Sequence, residues 1–555
     1  MESELDNLHR QVQHLKTQVA AQPTPGGDMW PYDSMEDVNS SQLRQSLVAT
    51  VRSQLPCKPE EAARLVERAY HAYSLEFYLV RLSSIAAMLD HVYHVASPET
   101  YPYAPPPPLY PTHDTAAMSP WRHFQQLSAY ILALVAFGKL LDTEEPVENN
   151  RYPGSQCYLL AEQLLRVNTE HTTFVHIQTA LVLGLYAANF NRFNTCYNLI
   201  GIALRSAVAL NLHRHRELLP TATISDRAEA ERAKRLWWSV FVLDTIWSIK
   251  TVHFQYTDTD VDLPLDNAIN LKEDSFDNGL LEDNVHLAKH IAKISRLIYG
   301  PNIRTFSVNY INSAEFTQKQ LLLHILNSFD TMQNDFEECH LWLRKRQHIL
   351  EGGIRAEANL FLRYHQALII LSKPIFPLLH EPLLQSLIEE NRSRIELLTQ
   401  KCVAAAIATI EIITTIRSQN LLFKLGFWEA QYVFMAMIML LVARTRNIKI
   451  PSFVYGMSLL RHMAHYRNIN AITCLKRLDQ MMDLLQANGM PLVPASETDV
   501  TPVALEQYCG YLPSTMVVDM PTLGWFVPNP CPGNHGELLH RLFAFEELTF
   551  SIDGN

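Results

Sequence analysis

The chain has 555 residues, 48% of them hydrophobic, and a formal net charge of −11 at pH 7. That length supports several ordinary domains or one large helical array with a sizeable core. The acidic balance excludes a broad basic surface for DNA or acidic lipid and leaves room only for a local basic patch.

The first residues, MESELDNLHRQ, are charged and contain no apolar stretch of the secretory kind. Leu5, Leu8, Val12, Leu15 and Val19 follow one another at alternating spacings of three and four. Such a stripe fits heptad a and d positions, so residues 1–21 read as a short coiled-coil-like helix. One helix cannot bury this stripe alone; it needs either a dimerisation partner or a face of its own chain. Pro23, Pro25, Gly26 and Gly27 end the helix, and residues 22–45 read as linker.

From 46 to 490 the pattern is helical throughout. Prolines remove an amide donor and clash with the preceding turn, so they mark the joints. They are absent from 154–219, 303–373, 383–450 and 452–490, stretches that each hold several helices. A proline-rich loop, Tyr101 to Pro111, interrupts the series. The apolar run Tyr432 to Ala443 lies between Gln431 and Arg444 and is too short to span a bilayer, so it reads as a buried core helix and no membrane partner is expected. Few runs alternate with period two, and no sheet is required. The expected fold is all-α: a large multi-helical array of antiparallel helical hairpins, with disordered or loosely packed termini.

Residues 491–555 change character. They hold eight of the 30 prolines and eight acidic residues against one arginine, a net −7. Trp525, Phe526, Phe543 and Phe545 are interspersed among those acids. The mixture fits an acidic activation tail that offers aromatics to a coactivator, or a terminal segment that packs its aromatics on the helical body.

Chemistry-bearing motifs are scarce. The eight cysteines form no C-x-x-C pair and read as reduced thiols of a nuclear or cytosolic protein. The sequence contains no G-x-G-x-x-G, phosphate-binding loop, G-x-S-x-G or H-E-x-x-H motif. His286 with His290, and His462 with His465, share helix faces without a third ligand nearby. Asp330 and Asp335 have the wrong spacing for a paired-carboxylate metal motif of an all-α cyclase. No catalytic residue and no metal ligand is assigned, and an enzyme is not expected.

Two stretches carry the most specific pattern. Thr172 to His215 reads as a helical hairpin around the polar turn Asn189 to Asn194, with Asn211 at a left-handed cap. Glu231 to Leu265 reads as an amphipathic helix with a basic start and an aromatic middle, followed by an extended acidic segment from Asp258 to Pro264. The first contains Gly201, Ala203, Arg205, Ala207, Leu210, Leu212, His213 and Arg214. The second contains Arg235, Trp237, Trp238, Leu243, Asp244 and Ser248, closed by Asp260, Asp262 and Pro264.

Together these resemble the middle homology region of fungal zinc-cluster transcription factors, whose motif runs G-x-A-x-R-x-A-x-x-L-G-L-H-R, then R-R-x-W-W-x-x-x-x-L-D, then D-x-D-x-x-x-P. Asn211 replaces a glycine of the pattern, and Val252-His253-Phe254 replaces its usual G-R-P. Gly426 to Arg444 is similar to the family's C-terminal core helix. On the residues themselves, Trp237 and Trp238 are expected to fill core space. Arg205 and Arg235 are expected to meet Asp244, Asp260 or Asp262 in ion pairs that set how the helices cross.

The resemblance implies a regulatory, effector-sensing domain over 46–490, in a protein that controls RNA polymerase II transcription of pathway-specific genes from the nucleus, with or without shuttling to the cytoplasm. It implies a homo- or heterodimer with a related factor, a small-molecule effector, and a coactivator on the tail. The family reads DNA through a cysteine-rich zinc cluster, whereas Cys57 stands alone in the first 156 residues. No cofactor is therefore expected in these residues, zinc only with a further N-terminal module, and DNA contact only indirectly or through that module. The alternative reading is a helical co-regulator or dominant-negative partner that acts by dimerisation without binding DNA.

Overall fold

A computed structural model of the chain describes residues 40–487, except 74, 96–119, 144–146, 148–151, 170–171, 216–222, 251–258, 264, 266–275, 277, 300–314, 351–354, 380 and 445–451. Residues 1–39 and 488–555 lie outside the described residues, and with them Leu5, Leu8, Val12, Leu15, Val19, Trp525, Phe526, Phe543 and Phe545. Pro264 also lies outside them.

Among the described residues every regular element is helical. The series runs α1 (Ser40–Gln54), α2 (Pro59–Tyr73), α3 (Leu82–Val95), α4 (Pro120–Leu141), α5 (Ser155–Val167), α6 (Phe174–Ala188), α7 (Phe193–Ala209) and α8 (Ile224–Lys250). It continues with α9 (Asn278–Tyr299), α10 (Glu315–Leu350), α11 (Arg355–Ser372), α12 (Ile375–Leu378), α13 (Gln385–Glu390), α14 (Arg392–Ser418), α15 (Phe427–Arg444), α16 (Ser452–His465) and α17 (Ile469–Ala487). The first helix begins inside the segment read as linker, because Ser40 and Ser41 are followed by the helical spacing of Leu43, Leu47, Val48 and Val51.

Local chemistry explains the boundaries. The Thr173 hydroxyl accepts from the His176 amide at 3.2 Å and caps α6. Asn191 and Asn211 take φ of 60° and 56° after α6 and α7, a region in which asparagine tolerates the missing turn of helix. Leu212 then returns its amide to the Ala207 carbonyl at 3.0 Å, which closes the last turn of α7. Helix α8 starts a full two turns before the predicted Glu231. Thr223 and Asp226 form a reciprocal cap there: the Asp226 amide donates to the Thr223 hydroxyl at 3.2 Å, and the Thr223 amide donates to the Asp226 carboxylate at 2.9 Å.

The helices pack as neighbouring antiparallel pairs. Helices α6 and α7 form the predicted hairpin, and α8 lies back along α7, with Phe193 against Trp247 at one end and His213 against Trp237 at the other. Helix α10 returns along α9, with Lys293 to Asp335 at 2.7 Å and His324 to the Leu297 carbonyl at 2.8 Å. Helix α15 is buried along its entire length and touches α11, α14, α16 and α17. A helix that is apolar all round has no solvent face to offer, and so it becomes the core of the C-terminal half. One continuous apolar cluster runs from Val48 to Leu485.

The stretch between α2 and α3 is the exception to helical regularity. Residues Glu76 to Val80 lie outside any helix yet are buried. Buried backbone outside a helix must find partners elsewhere. Here side chains of three helices supply them: the Tyr78 amide donates to Ser239 at 2.7 Å, the Tyr78 carbonyl accepts from Gln178 at 3.3 Å, and the Leu79 carbonyl accepts from the Tyr130 hydroxyl at 2.8 Å. This segment pins α4, α6 and α8 to one another.

Candidate functional site

The motif residues converge on the α7–α8 contact and the turn that follows α7. Trp237 and Trp238 are buried. Trp238 meets Phe241 edge to face at 5.3 Å and carries the Lys289 ammonium 4.8 Å above its ring. Trp247, which follows the motif, joins Phe193, Phe427 and Trp428 and ties α8 to α7 and α15. Ser248 is buried one turn further along α8 than Asp244.

The predicted ion pairs form with different partners. Asp260 lies beside Arg214 at 3.8 Å and accepts the His215 amide at 2.5 Å, while Asp262 meets the His215 ring at 2.8 Å. Both aspartates therefore clamp the turn after α7, and the His213 carbonyl takes part by accepting from the Thr259 hydroxyl at 2.9 Å. These contacts lie at Arg214 and His215, just past the end of α7. Arg235 is instead buried with its guanidinium 5.7 Å from the Tyr78 ring and 5.2 Å from the Phe276 ring. One turn later Ser239 holds the Tyr78 amide, so the Arg235 face of α8 serves the buried 76–80 segment.

The expected ion pair between Arg205 and Asp244 does not close among the described residues. Arg205 is exposed on α7 and folds back so that Nη1 lies 3.4 Å from the Gly201 carbonyl. A Cβ on Gly201 would stand 3.1 Å from that same nitrogen, so the glycine leaves the lane that the guanidinium occupies. Asp244 is only 9% exposed. Burial pushes its carboxyl up to about 6, and the Arg205 charge offsets part of that rise. Tyr197, on the same face of α7, is shifted upward by burial first and then by Asp244.

A second polar constellation escapes the motif altogether. Arg355, Asn359 and Arg363 recur every four residues along α11 and face inward. Arg363 donates to Glu76 at 2.6 Å and to Asn284, while Asn359 donates to Glu76 at 2.5 Å. Arg355 pairs with Glu429 and donates to the Ala72 carbonyl at 2.7 Å. Both guanidiniums lie over rings, Arg363 at 5.2 Å from Phe77 and Arg355 at 4.8 Å from Tyr73. Burial lowers the tendency of both arginines to hold a proton, and the neighbouring carboxylates more than restore it. The signal in the sequence was three polar residues at helical spacing on a helix that also carries Glu357, His365 and Gln366; their acidic partners lie 283 or more positions and 74 positions away. Among the described residues no group of three or more histidine, cysteine, aspartate or glutamate side chains has metal-binding geometry.

Residues 119–350, which run from the start of α4 to the end of α10, match the model of the fungal specific transcription factor domain. Over these residues, less than half of its length, the chain is similar to that domain. Among its relatives, an uncharacterised transcriptional regulatory protein of Schizosaccharomyces pombe is 26% identical over 324 residues, 56% of this chain and 37% of the relative. Activator of stress genes protein 1 of Candida albicans is 29% identical over 129 residues, 22% of this chain and 13% of that protein. Activator of stress genes 1 of Saccharomyces cerevisiae is 33% identical over 91 residues, 16% of this chain and 9% of that protein. The aligned part is thus well under two thirds of each relative. No solved structure matches the chain at comparable significance.

Proposed function

We propose that this protein regulates transcription by RNA polymerase II in the nucleus, with residues 46–490 as an effector-sensing regulatory body and residues 491–555 as an activation tail. The observation that carries the reading is the domain match over 119–350, which coincides with the helices that hold the Gly201–Arg205 and Arg235–Ser248 motifs. The polar residues of these motifs serve helix crossing and the turn after α7, as expected of a scaffold that transmits a conformational change and not of a catalytic centre. A zinc-cluster partner or module would supply DNA contact, and Leu5, Leu8, Val12, Leu15 and Val19 would supply the dimer seam.

Fusion of the full chain to a heterologous DNA-binding domain tests this. A reporter should respond at least about tenfold above the DNA-binding domain alone, the size of effect expected when a coactivator contact worth about 1.4 kcal/mol is gained. Substitution of Trp525 and Phe545 together by alanine should lower that response. A reporter that stays at background, with the fusion present in the nucleus, would overturn the activator reading.

A further inference from the structure

Histidines buried between packed helices normally spend their ring nitrogens on neighbouring groups. His91 of α3 and His123 of α4 do not. Both are more than nine-tenths buried, at 4% and 6% exposure. Their rings stand 5.4 Å apart between centroids, edge to face at 81°. The Nε2 atom of each is sealed from solvent and has no hydrogen-bond partner. Unsatisfied buried nitrogens are unfavourable, and two of them on adjacent rings suit a group that both can bind. Burial holds both imidazoles below the ordinary histidine range, His123 at about 4 with the His91 ring as a second cause. Both rings are therefore neutral at pH 7, and each keeps a nitrogen lone pair. Met88, also buried, precedes His91 by three residues and so shares its face of α3. Among the described residues, no further histidine, cysteine, aspartate or glutamate joins the two histidines in a three-ligand set.

We propose that His91 and His123, with the Met88 thioether as a third donor, form a binding site for a monovalent copper ion, Cu(I). Rings that share one metal ion through Nε2 at about 2 Å stand roughly 5–6 Å apart between centroids, and the observed separation lies in that range. Rotation about each metal–nitrogen bond is free, so edge-to-face ring planes are compatible with a shared ion. The donor set selects the metal. Zn²⁺ takes four ligands and would bring two charges into the interior. Cu(I) favours soft and imidazole donors, accepts two or three of them, and brings one charge. Binding transfers no electron and releases no proton, since the neutral rings at most move their proton to Nδ1. The bound ion ties α3 to α4, and the site stands independently of the regulatory reading above.

Anaerobic titration of the full chain with Cu(I) in ascorbate, in competition with the chelator bicinchoninate, tests the site. His91→Phe and His123→Phe remove the nitrogens and suit the apolar surroundings. Each should lose at least about tenfold in Cu(I) affinity while keeping the wild-type circular dichroism spectrum. Met88→Leu should weaken binding by less. X-ray absorption of the wild-type chain with one equivalent of Cu(I) should show two imidazole nitrogens and one sulfur on the metal. That measurement needs no variant and decides the matter should the substituted chains misfold. Affinity unchanged in both folded histidine variants, or copper held by sulfur alone, would overturn the proposal and leave the two rings as an edge-to-face packing pair.

Discussion

At the scale of single residues, Asp244 is where burial and charge oppose each other most clearly. Its folded-state pKa of about 6 lies above the ordinary value of 3.8. A raised carboxylate contributes stability that is fully present below the ordinary value and lost as pH rises through about 6. At neutral pH the ionised group therefore costs about 3 kcal/mol relative to a neutral one. Asp244→Asn should raise the melting temperature at pH 7.5, with a gain of about 1–3 kcal/mol, and the difference from wild type should shrink as pH falls toward 4.5. A variant whose advantage is equal at both pH values would remove Asp244 as the titrating group. Asn211 shows a residue-scale feature that the sequence did disclose: its place at the end of α7 predicted a left-handed cap, and its φ is 56°.

At the scale of elements, close approach of helices depends on what is absent from their surfaces. A Cβ built on Gly138 of α4 would lie 2.2 Å from the Leu65 carbonyl oxygen of α2, a backbone atom that cannot swing aside. Gly138→Ala should therefore push α2 and α4 apart and lower stability by about 1–3 kcal/mol or more, despite alanine's better helix propensity. A melting temperature equal to or above wild type would show that the two helices have room to slide. Gly201 leaves a lane of a different kind, for the Arg205 side chain of its own helix α7. Sequence patterning found α6, α7 and the core helix α15 because apolar spacing and cap residues are local signals. It placed the start of α8 too late, although Thr223 and Asp226 carry a capping-box spacing that was there to be read.

For the whole molecule, α11 acts as a polar spine that joins distant parts of the chain. Its Arg363 reaches Glu76 from the N-terminal third, and its Arg355 reaches Glu429 on α15. Removing one member of a buried pair strands the other charge, so Arg363→Met should cost about 3–5 kcal/mol. The double variant Arg363→Met with Glu76→Leu should recover a substantial part of that loss, because no charge remains to be desolvated. A double variant less stable than either single one would show that the pair contributes more than mutual compensation. Thermal melts of the singles and the double give the comparison directly.

Composition and periodicity determined that the body of this chain is helical and that a hairpin turns at Asn189 to Asn194 and ends at Asn211. The Gly201–His213 and Arg235–Ser248 blocks were joined by their resemblance to one family motif. The helices and the hairpin follow from neighbours in sequence, where spacing on a helix and the φ tolerance of a residue are enough. Only the tertiary structure decided that Asp260 and Asp262 clamp the turn after α7, that Arg235 lies against Tyr78 and Phe276, and that Glu76 to Val80 threads the core with side chains as its hydrogen-bond partners. Such pairings join positions far apart in the chain, and a charge or an amide finds its partner only when packing has fixed which helix faces which. The same reason explains why the α11 spine was invisible until the helices were in place.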